Sequence, residues 1–315
     1  MRVVFLGTPD FGVPSLLALN EAGYEVVGVF TQPDRPKGRG NKMLMSPVKE
    51  CALKLGIPVY QPLKIRKDGV EDLRALKPDL CVTAAFGQIL SQEILDIPTL
   101  GTVNVHSSLL PKYRGSAPVH YAILEGETVT GITTMLTDKG MDTGDILLQK
   151  QVEILPGETT GELTERLAPI GAELLIETIR LLEKGECPRR KQNEDEATYF
   201  PMLEKEMGEM DWTLPAKTLV NRIRGLSPWP GTYTFINGET LKIWKGEEAD
   251  ARDGVPGQIL NADPKNGLVV RAGENAVRIV ELQAQGGKRM NARDYLRGHP
   301  ITAAACDGKR ENENE

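Results

Sequence analysis

Histidine and cysteine are scarce in this sequence, with three and four residues respectively in a chain of 315. Cys51, Cys81, Cys187 and Cys306 lie far apart and form no CxxC pair, which argues against both a zinc site and a disulfide framework. They read as free thiols in a reducing compartment, and no metal is expected. Long apolar runs are also missing. The opening Met1-Arg2-Val3-Val4-Phe5-Leu6-Gly7 is too short for a signal peptide and runs into Thr8-Pro9-Asp10. No later stretch approaches the ~20 apolar residues of a membrane span. These absences predict a cytoplasmic protein with no membrane partner. A surplus of positive charge is lacking too. At a net charge of −6, any contact with nucleic acid has to come from a local basic patch. No internal repeat is visible.

What is present is an alternation of short β-branched runs with amphipathic stretches. Val3–Leu6, Val26–Phe30, Leu80–Ala84, Thr102–Val105 and Ile132–Leu136 read as strands. Helices are expected at about Phe11–Ala22, at Ser46–Leu55, where Ser46 can cap and Pro47 suits the first turn, and at Thr160–Leu182. Such alternation predicts an α/β, Rossmann-like, mostly parallel sheet with helices on both faces. Residues 1–187 form this first domain, and 188–206 read as an exposed linker with Cys187-Pro188-Arg189-Arg190-Lys191 and Glu194-Asp195-Glu196 as charge runs.

Residues 207–315 have a different pattern. Thr232–Ile236 and Glu239–Trp244 flank Asn237-Gly238, a strong hairpin signal. Gln258–Leu260, Leu268–Arg271 and Val277–Leu282 add short strands, which predicts a small C-terminal β-barrel of OB-like type behind a helix at Ala216–Arg224. The polar end, Gly308–Glu315, is expected to fray.

Chemistry is densest in Gly101-Thr102-Val103-Asn104-Val105-His106-Ser107-Ser108-Leu109-Leu110-Pro111. Side chains alternate along a strand, so Asn104 and His106 share one face while Val103 and Val105 pack on the other. Ligands of open α/β sheets bind at the carboxyl ends of strands. Gly140-Met141-Asp142-Thr143-Gly144-Asp145 supplies a carboxylate on a glycine-bounded turn after another strand. An amide, an imidazole and a carboxylate at one sheet edge suit acyl transfer to an amine, which creates an oxyanion and releases a proton.

Asn104-Val105-His106-Ser107-Ser108-Leu109-Leu110-Pro111 with Arg114-Gly115, and Gly140–Gly144, closely resemble the two motifs of the folate-dependent formyltransferases. Phe5-Leu6-Gly7-Thr8-Pro9-Asp10-Phe11, Thr31–Gly40 and Ser227-Pro228-Trp229-Pro230-Gly231 are similar to the branch that formylates methionyl-tRNA. The resemblance implies 10-formyltetrahydrofolate as donor, tetrahydrofolate as product and initiator methionyl-tRNA as acceptor. It implies that Asn104 and His106 hydrogen-bond the formyl oxygen, and that Asp142 orients His106 and helps remove the amine proton. Folate is expected beside Phe86, Gly87, Ile89 and Leu90, with Ser108, Leu109, Leu110 and Pro111 lining the same pocket.

The connection from Thr31 to Pro47 far exceeds the 2–6 residues usual between a strand and a helix. It carries Arg35, Lys37, Arg39 and Lys42 against Asp34, as basic loops that meet phosphate do. The resemblance assigns it to tRNA, with Arg39 as the foremost contact. Arg189, Arg190 and Lys191 extend the expected tRNA surface. His120 and His299 have no evident partner, and nothing in the sequence calls for a second subunit.

Three other readings fit the sequence less well. A formyltransferase acting on an amino sugar or a glycinamide ribotide has no need of the basic insertion or the barrel. In a nicotinamide-dependent oxidoreductase, Gly7-Thr8-Pro9-Asp10-Phe11-Gly12 would have to serve as GxGxxG, and Pro9 stands at the second glycine. A non-catalytic RNA-binding protein leaves Asn104, His106 and Asp142 without a purpose.

Overall fold

A computed structural model describes residues 1–37 and 42–307. The chain divides into two compact units, one of Met1–Pro118, Val129–Glu153 and Leu163–Phe200, the other of Val119–Thr128, Ile154–Glu162 and Pro201–Glu315.

The first unit is built on a seven-stranded sheet. Across it the strands run Ile146–Glu153, Val129–Leu136, Thr102–His106, Leu80–Ala84, Arg2–Gly7, Glu25–Phe30 and Val59–Tyr60. The five from Thr102–His106 onward are parallel, and the first two are antiparallel to their neighbours. The sheet is therefore α/β and mostly parallel, as expected, with a mixed edge. Its core includes Val4, Leu6, Phe30, Leu73, Cys81 and Phe86, all buried.

Several local predictions are reproduced. Ser46 caps the helix Pro47–Lys54 by accepting from the Lys49 amide at 3.1 Å. The long helix runs Thr160–Lys184. It lies close behind the strand that carries Asn104 and His106, because a Cβ at Gly171 would meet Val105 Cγ1 at 2.9 Å. Thr178 on this helix shares a hydroxyl contact of 2.8 Å with Thr134 on the neighbouring strand. The basic insertion contains a short hairpin, Arg35–Lys37 paired with Lys42–Leu44.

Ile146–Glu153 was not anticipated as a strand. It occupies the sheet edge, where Gln149, Lys150 and Gln151 need no buried neighbours and dilute the apolar pattern. Arg190 pairs with Ile146 through two backbone hydrogen bonds of 2.8 and 2.9 Å.

The second unit carries an antiparallel sheet in the order Thr232–Ile236, Glu239–Ala249, Ala276–Ala284, Gly267–Arg271 and Ile259–Asp263. Asn237 and Gly238 both have positive φ, the signature of the tight turn their sequence predicts. The segment 304–307 bonds to both edge strands, with Ile259 N–H donating to Ala304 O and Asp307 N–H to Phe235 O, each at 2.8 Å. It thereby closes the sheet into a barrel around Leu219, Ile243, Leu268 and Ile279. Gly308–Glu315 lies outside the described residues. No described helix is long and apolar enough to cross a membrane.

Candidate active site

The strand Thr102–His106 is buried at Val103 and Val105 on its back face, while Asn104 on the other face is half-buried. Thr83 stands opposite Asn104 in the neighbouring parallel strand, and its hydroxyl donates to Asn104 Oδ1 at 2.8 Å. That bond occupies the amide oxygen and turns the NH2, the half that can donate to an anion, away from Thr83.

His106, 5% exposed, is oriented from behind. Its Nε2 lies 3.0 Å from the Tyr113 backbone oxygen. A carbonyl only accepts, so Nε2 carries the proton, and Nδ1 is the atom left for chemistry. Nδ1 faces Asp142 Oδ1 at 3.8 Å. That spacing is too long for a direct hydrogen bond and places the carboxylate beside the ring nitrogen left for chemistry.

Asp142 reaches this position on the turn Gly140–Gly144. Its own φ is +56°, a conformation that Asp tolerates better than most residues. Asp138 Oδ1 ties the turn together, accepting from Gly140 N–H at 3.0 Å and Thr143 Oγ1 at 2.6 Å. Gly144 is obligatory, since a Cβ there would fall 1.6 Å from the Leu136 carbonyl oxygen. The second carboxylate oxygen of Asp142 accepts from Gly115 N–H at 2.8 Å. The structure thus brings a donor amide, a singly committed imidazole and a carboxylate to one end of the sheet, as acyl transfer to an amine requires.

The residues expected around folate fall on two loops. Phe86 is buried, and its carbonyl oxygen accepts from Thr8 Oγ1 at 3.0 Å and Gln32 Nε2 at 3.3 Å. Gln32 Nε2 also reaches the Gly87 carbonyl at 3.0 Å. Ile89 is 70% exposed and Leu90 packs on the core cluster of Phe86. On the second loop Ser108 is fully buried and donates to Lys112 O at 2.7 Å. Leu110 packs with Met135 and Ile146, so its side chain supports the loop from below. The Thr133 hydroxyl fixes this loop, donating to Ser108 O at 2.6 Å and accepting from Leu110 N–H at 3.1 Å.

A cavity of about 570 Å³ is lined by Leu109, Leu110, Pro111 and Lys112 together with Gln149, Arg190 and Lys191. Two residues expected at tRNA therefore adjoin residues expected at folate. Arg189, Arg190 and Lys191 are all exposed, with Lys191 Nζ 3.3 Å from Asp145 Oδ1 and Arg190 donating to Gln149. Arg35 is exposed and donates to Gln32 Oε1 at 3.5 Å. Lys37 and Lys42 are paired across the hairpin by their backbones. Arg39 lies outside the described residues.

Sequence reasoning missed Thr83, Tyr113, Thr133 and Gln192. Only Thr83 had a readable signal, as a polar residue in a strand otherwise apolar, next in the sheet to Asn104.

Two family models match, formyl transferase over residues 1–179 and formyl transferase, C-terminal domain over residues 202–300. The methionyl-tRNA formyltransferase of Caldanaerobacter subterraneus subsp. tengcongensis is 50% identical over 304 residues, spanning 96% of this chain and 98% of the relative. That of Agathobacter rectalis is 49% identical, spanning 95% and 96%. Among solved structures, an N-formyltransferase from Helicobacter canadensis with folinic acid and dTDP-3-aminofucose aligns at a TM-score of 0.67 and 20% identity, covering 90% of this chain and 99% of that one. HypX from Aquifex aeolicus with tetrahydrofolic acid aligns at a TM-score of 0.62 and 18% identity over 94% of this chain, which spans about half, 47%, of HypX. At these identities the structural likenesses speak for the fold.

Proposed function

Because the chain belongs to the methionyl-tRNA formyltransferase family, we propose that Asn104, His106 and Asp142 carry its reaction. The enzyme transfers the formyl group of 10-formyltetrahydrofolate to the free amine of methionyl initiator tRNA, giving N-formylmethionyl-tRNA for translation initiation. Attack of the amine on the formyl carbon turns the carbonyl oxygen into an oxyanion. Asn104 donates to it from Nδ2, because Thr83 holds Oδ1. His106 meets it through Nδ1, because Nε2 is committed to Tyr113. A proton at Nδ1 makes the ring a cation, and the Asp142 carboxylate compensates that charge. Asp142 also accepts the amine proton, directly or through water. The formyl C–N bond breaks as the donor nitrogen takes up that proton, so charge and atoms balance.

The observation that carries this reading is the 3.8 Å approach of Asp142 to the one free nitrogen of His106. Phe86, Gly87, Ile89 and Leu90 are proposed as one wall of the donor pocket and Ser108, Leu109, Leu110 and Pro111 as the other. Arg35, Lys37, Arg39 and Lys42, with Arg189, Arg190 and Lys191, are proposed to hold tRNA phosphates, since Lys and Arg at exposed positions supply that attraction without base specificity. We place the enzyme in the cytoplasm as a monomer, with residues 1–187 catalytic, 188–206 linking, and the barrel of 207–315 contributing to tRNA binding.

The test is formyl transfer from 10-formyltetrahydrofolate to methionyl initiator tRNA, uncharged tRNA and an amino sugar nucleotide. Product on the charged tRNA alone is expected. Transfer to the sugar nucleotide in its place would overturn the acceptor, and product on none would overturn the enzyme reading.

A further inference from the structure

Arg114 has the largest fully buried side chain among the described residues. Its guanidinium donates bidentately to Glu194 at 2.8 and 2.9 Å, to Gln192 Oε1 at 3.0 Å, and to the Tyr199 hydroxyl, whose ring it also overlies at 5.1 Å. Hydrogen bonding to Glu194 pushes the Arg114 pKa up and that of Glu194 down, so both stay ionised. Glu194 is 66% exposed on its side chain while Arg114 is at 0%. Enclosing a guanidinium against a partner left mostly in water is a poor source of stability, because the desolvation cost offsets the Coulombic gain. Geometry is the better explanation for the arrangement.

That geometry leads to the active site by two routes. Gln192 takes the Arg114 donor on its Oε1 and donates from Nε2 to Asp142 O at 2.7 Å and Gly144 O at 2.8 Å. Only one orientation of the amide fits, since a guanidinium only donates and backbone carbonyls only accept. The second route is the backbone of Arg114 itself. It pairs in parallel with Tyr199–Phe200, and Arg114 N–H donates to Thr198 O at 2.9 Å. On either side of it stand the Tyr113 carbonyl that holds His106 and the Gly115 N–H that holds Asp142. Tyr113 is stacked on Phe200 at 5.3 Å.

We propose that Gln192 and Arg114 are positioning residues for the formyl transfer, fixing the Asp142 turn at its working distance from His106. The proposal rests on the catalytic reading given above. It gives the segment between the two family matches a task in the chemistry. Misplacing a reacting group by about 1 Å costs on the order of 100-fold in rate. Gln192 is the cleaner probe, since removing Arg114 would strip a buried cavity of its contents.

The experiment compares Gln192→Ala, Gln192→Glu, Asp142→Asn and the double variant Gln192→Ala/Asp142→Asn by single-turnover formylation of methionyl initiator tRNA. Gln192→Ala is expected to lower kcat about 10- to 100-fold with KM for both substrates within about 3-fold. Gln192→Glu keeps the acceptor for Arg114 and loses both donors, so it should not rescue the rate. On the Asp142→Asn background the Gln192→Ala loss should shrink below about 3-fold, because the carboxylate being placed is gone. A full loss in both backgrounds, or a loss confined to KM for the tRNA, would overturn the proposal. Wild-type activity of Gln192→Ala beside a crippled Asp142→Asn would overturn it while leaving the catalytic reading intact. An active Asp142→Asn would sink the catalytic reading, and the proposal with it.

Discussion

A threonine on the neighbouring strand decides which way Asn104 faces. Thr83 is 7% exposed, and its methyl is matched by Val, so Thr83→Val keeps the shape and removes only the donor at 2.8 Å. The Asn104 amide then loses the bond that turns its NH2 outward. Loss of an oxyanion donor outright costs ~100- to 1,000-fold, and a misoriented one is expected to cost about 10-fold in kcat with little change in KM. Steady-state kinetics on the variant checks this; an unchanged kcat would mean that Asn104 is oriented by something else. Asn104, His106 and Asp142 stand out as candidates because strand alternation and a glycine-bounded turn are local patterns, and the family resemblance suggests their roles. Gln192 was not. Its meaning depends on Asp142 and Arg114, which lie 50 and 78 residues earlier in sequence, and no local pattern encodes a contact of that separation.

At the scale of elements, the short helix Pro118–Leu124 illustrates a histidine whose task is structural. Burial pushes the His120 pKa down to about 4 from an ordinary 6.5, opposed by a hydrogen bond to the Trp229 backbone. The folded form therefore binds this proton later than the unfolded chain does. Well above pH 6.5 the residue adds no pH dependence to stability, and below it the unfolded state gains protons first. Stability falls as the pH drops from 6.5 towards 4, by about 2 kcal/mol at pH 5 from this group. Urea unfolding at pH 7.5 and pH 5 should show that His120→Gln removes this part of the decline. An identical pH dependence in the variant would contradict the account. His299, the other histidine without an evident partner in the sequence, stacks on Tyr295 at 4.5 Å on an exposed helix end.

Element boundaries show why some parts of the fold were readable and others not. Leu80–Ala84 is buried at every position and stands out as a mostly apolar run that follows Lys77-Pro78-Asp79. Ile146–Glu153 sits at the edge, alternates poorly and contains Gln149-Lys150-Gln151, so it reads as loop. The closing segment 304–307 pairs through its backbone with two distant strands, and its sequence Ala304-Ala305-Cys306-Asp307 carries no strand pattern.

The whole molecule is acidic, with a net charge of −6, and its proposed partner is a polyanion. Attraction has to be local. In the reading proposed above, the exposed cations Arg35, Arg189, Arg190 and Lys191 supply it, while His106 is enclosed. That reading gives binding and chemistry to different residues, so a change at one need not disturb the other. The two family matches end at residue 179 and resume at 202, and the interval holds Gln192, Glu194 and Tyr199. Its charge runs read as linker in the sequence, whereas in the fold Gln192 bonds to the Gly140–Gly144 turn and Glu194 to Arg114.

In the proposed mechanism His106 acts in the chemistry and takes no part in holding tRNA. The direct measurement is His106→Ala, assayed in parallel for formyl transfer and for affinity towards methionyl initiator tRNA. The rate is expected to fall at least ~1,000-fold, beyond the loss of a single oxyanion donor because the ring also faces Asp142, with tRNA affinity within about 2-fold of the original. Transfer within tenfold of the unmodified enzyme, or a loss of tRNA binding that matches the loss of rate, would contradict it.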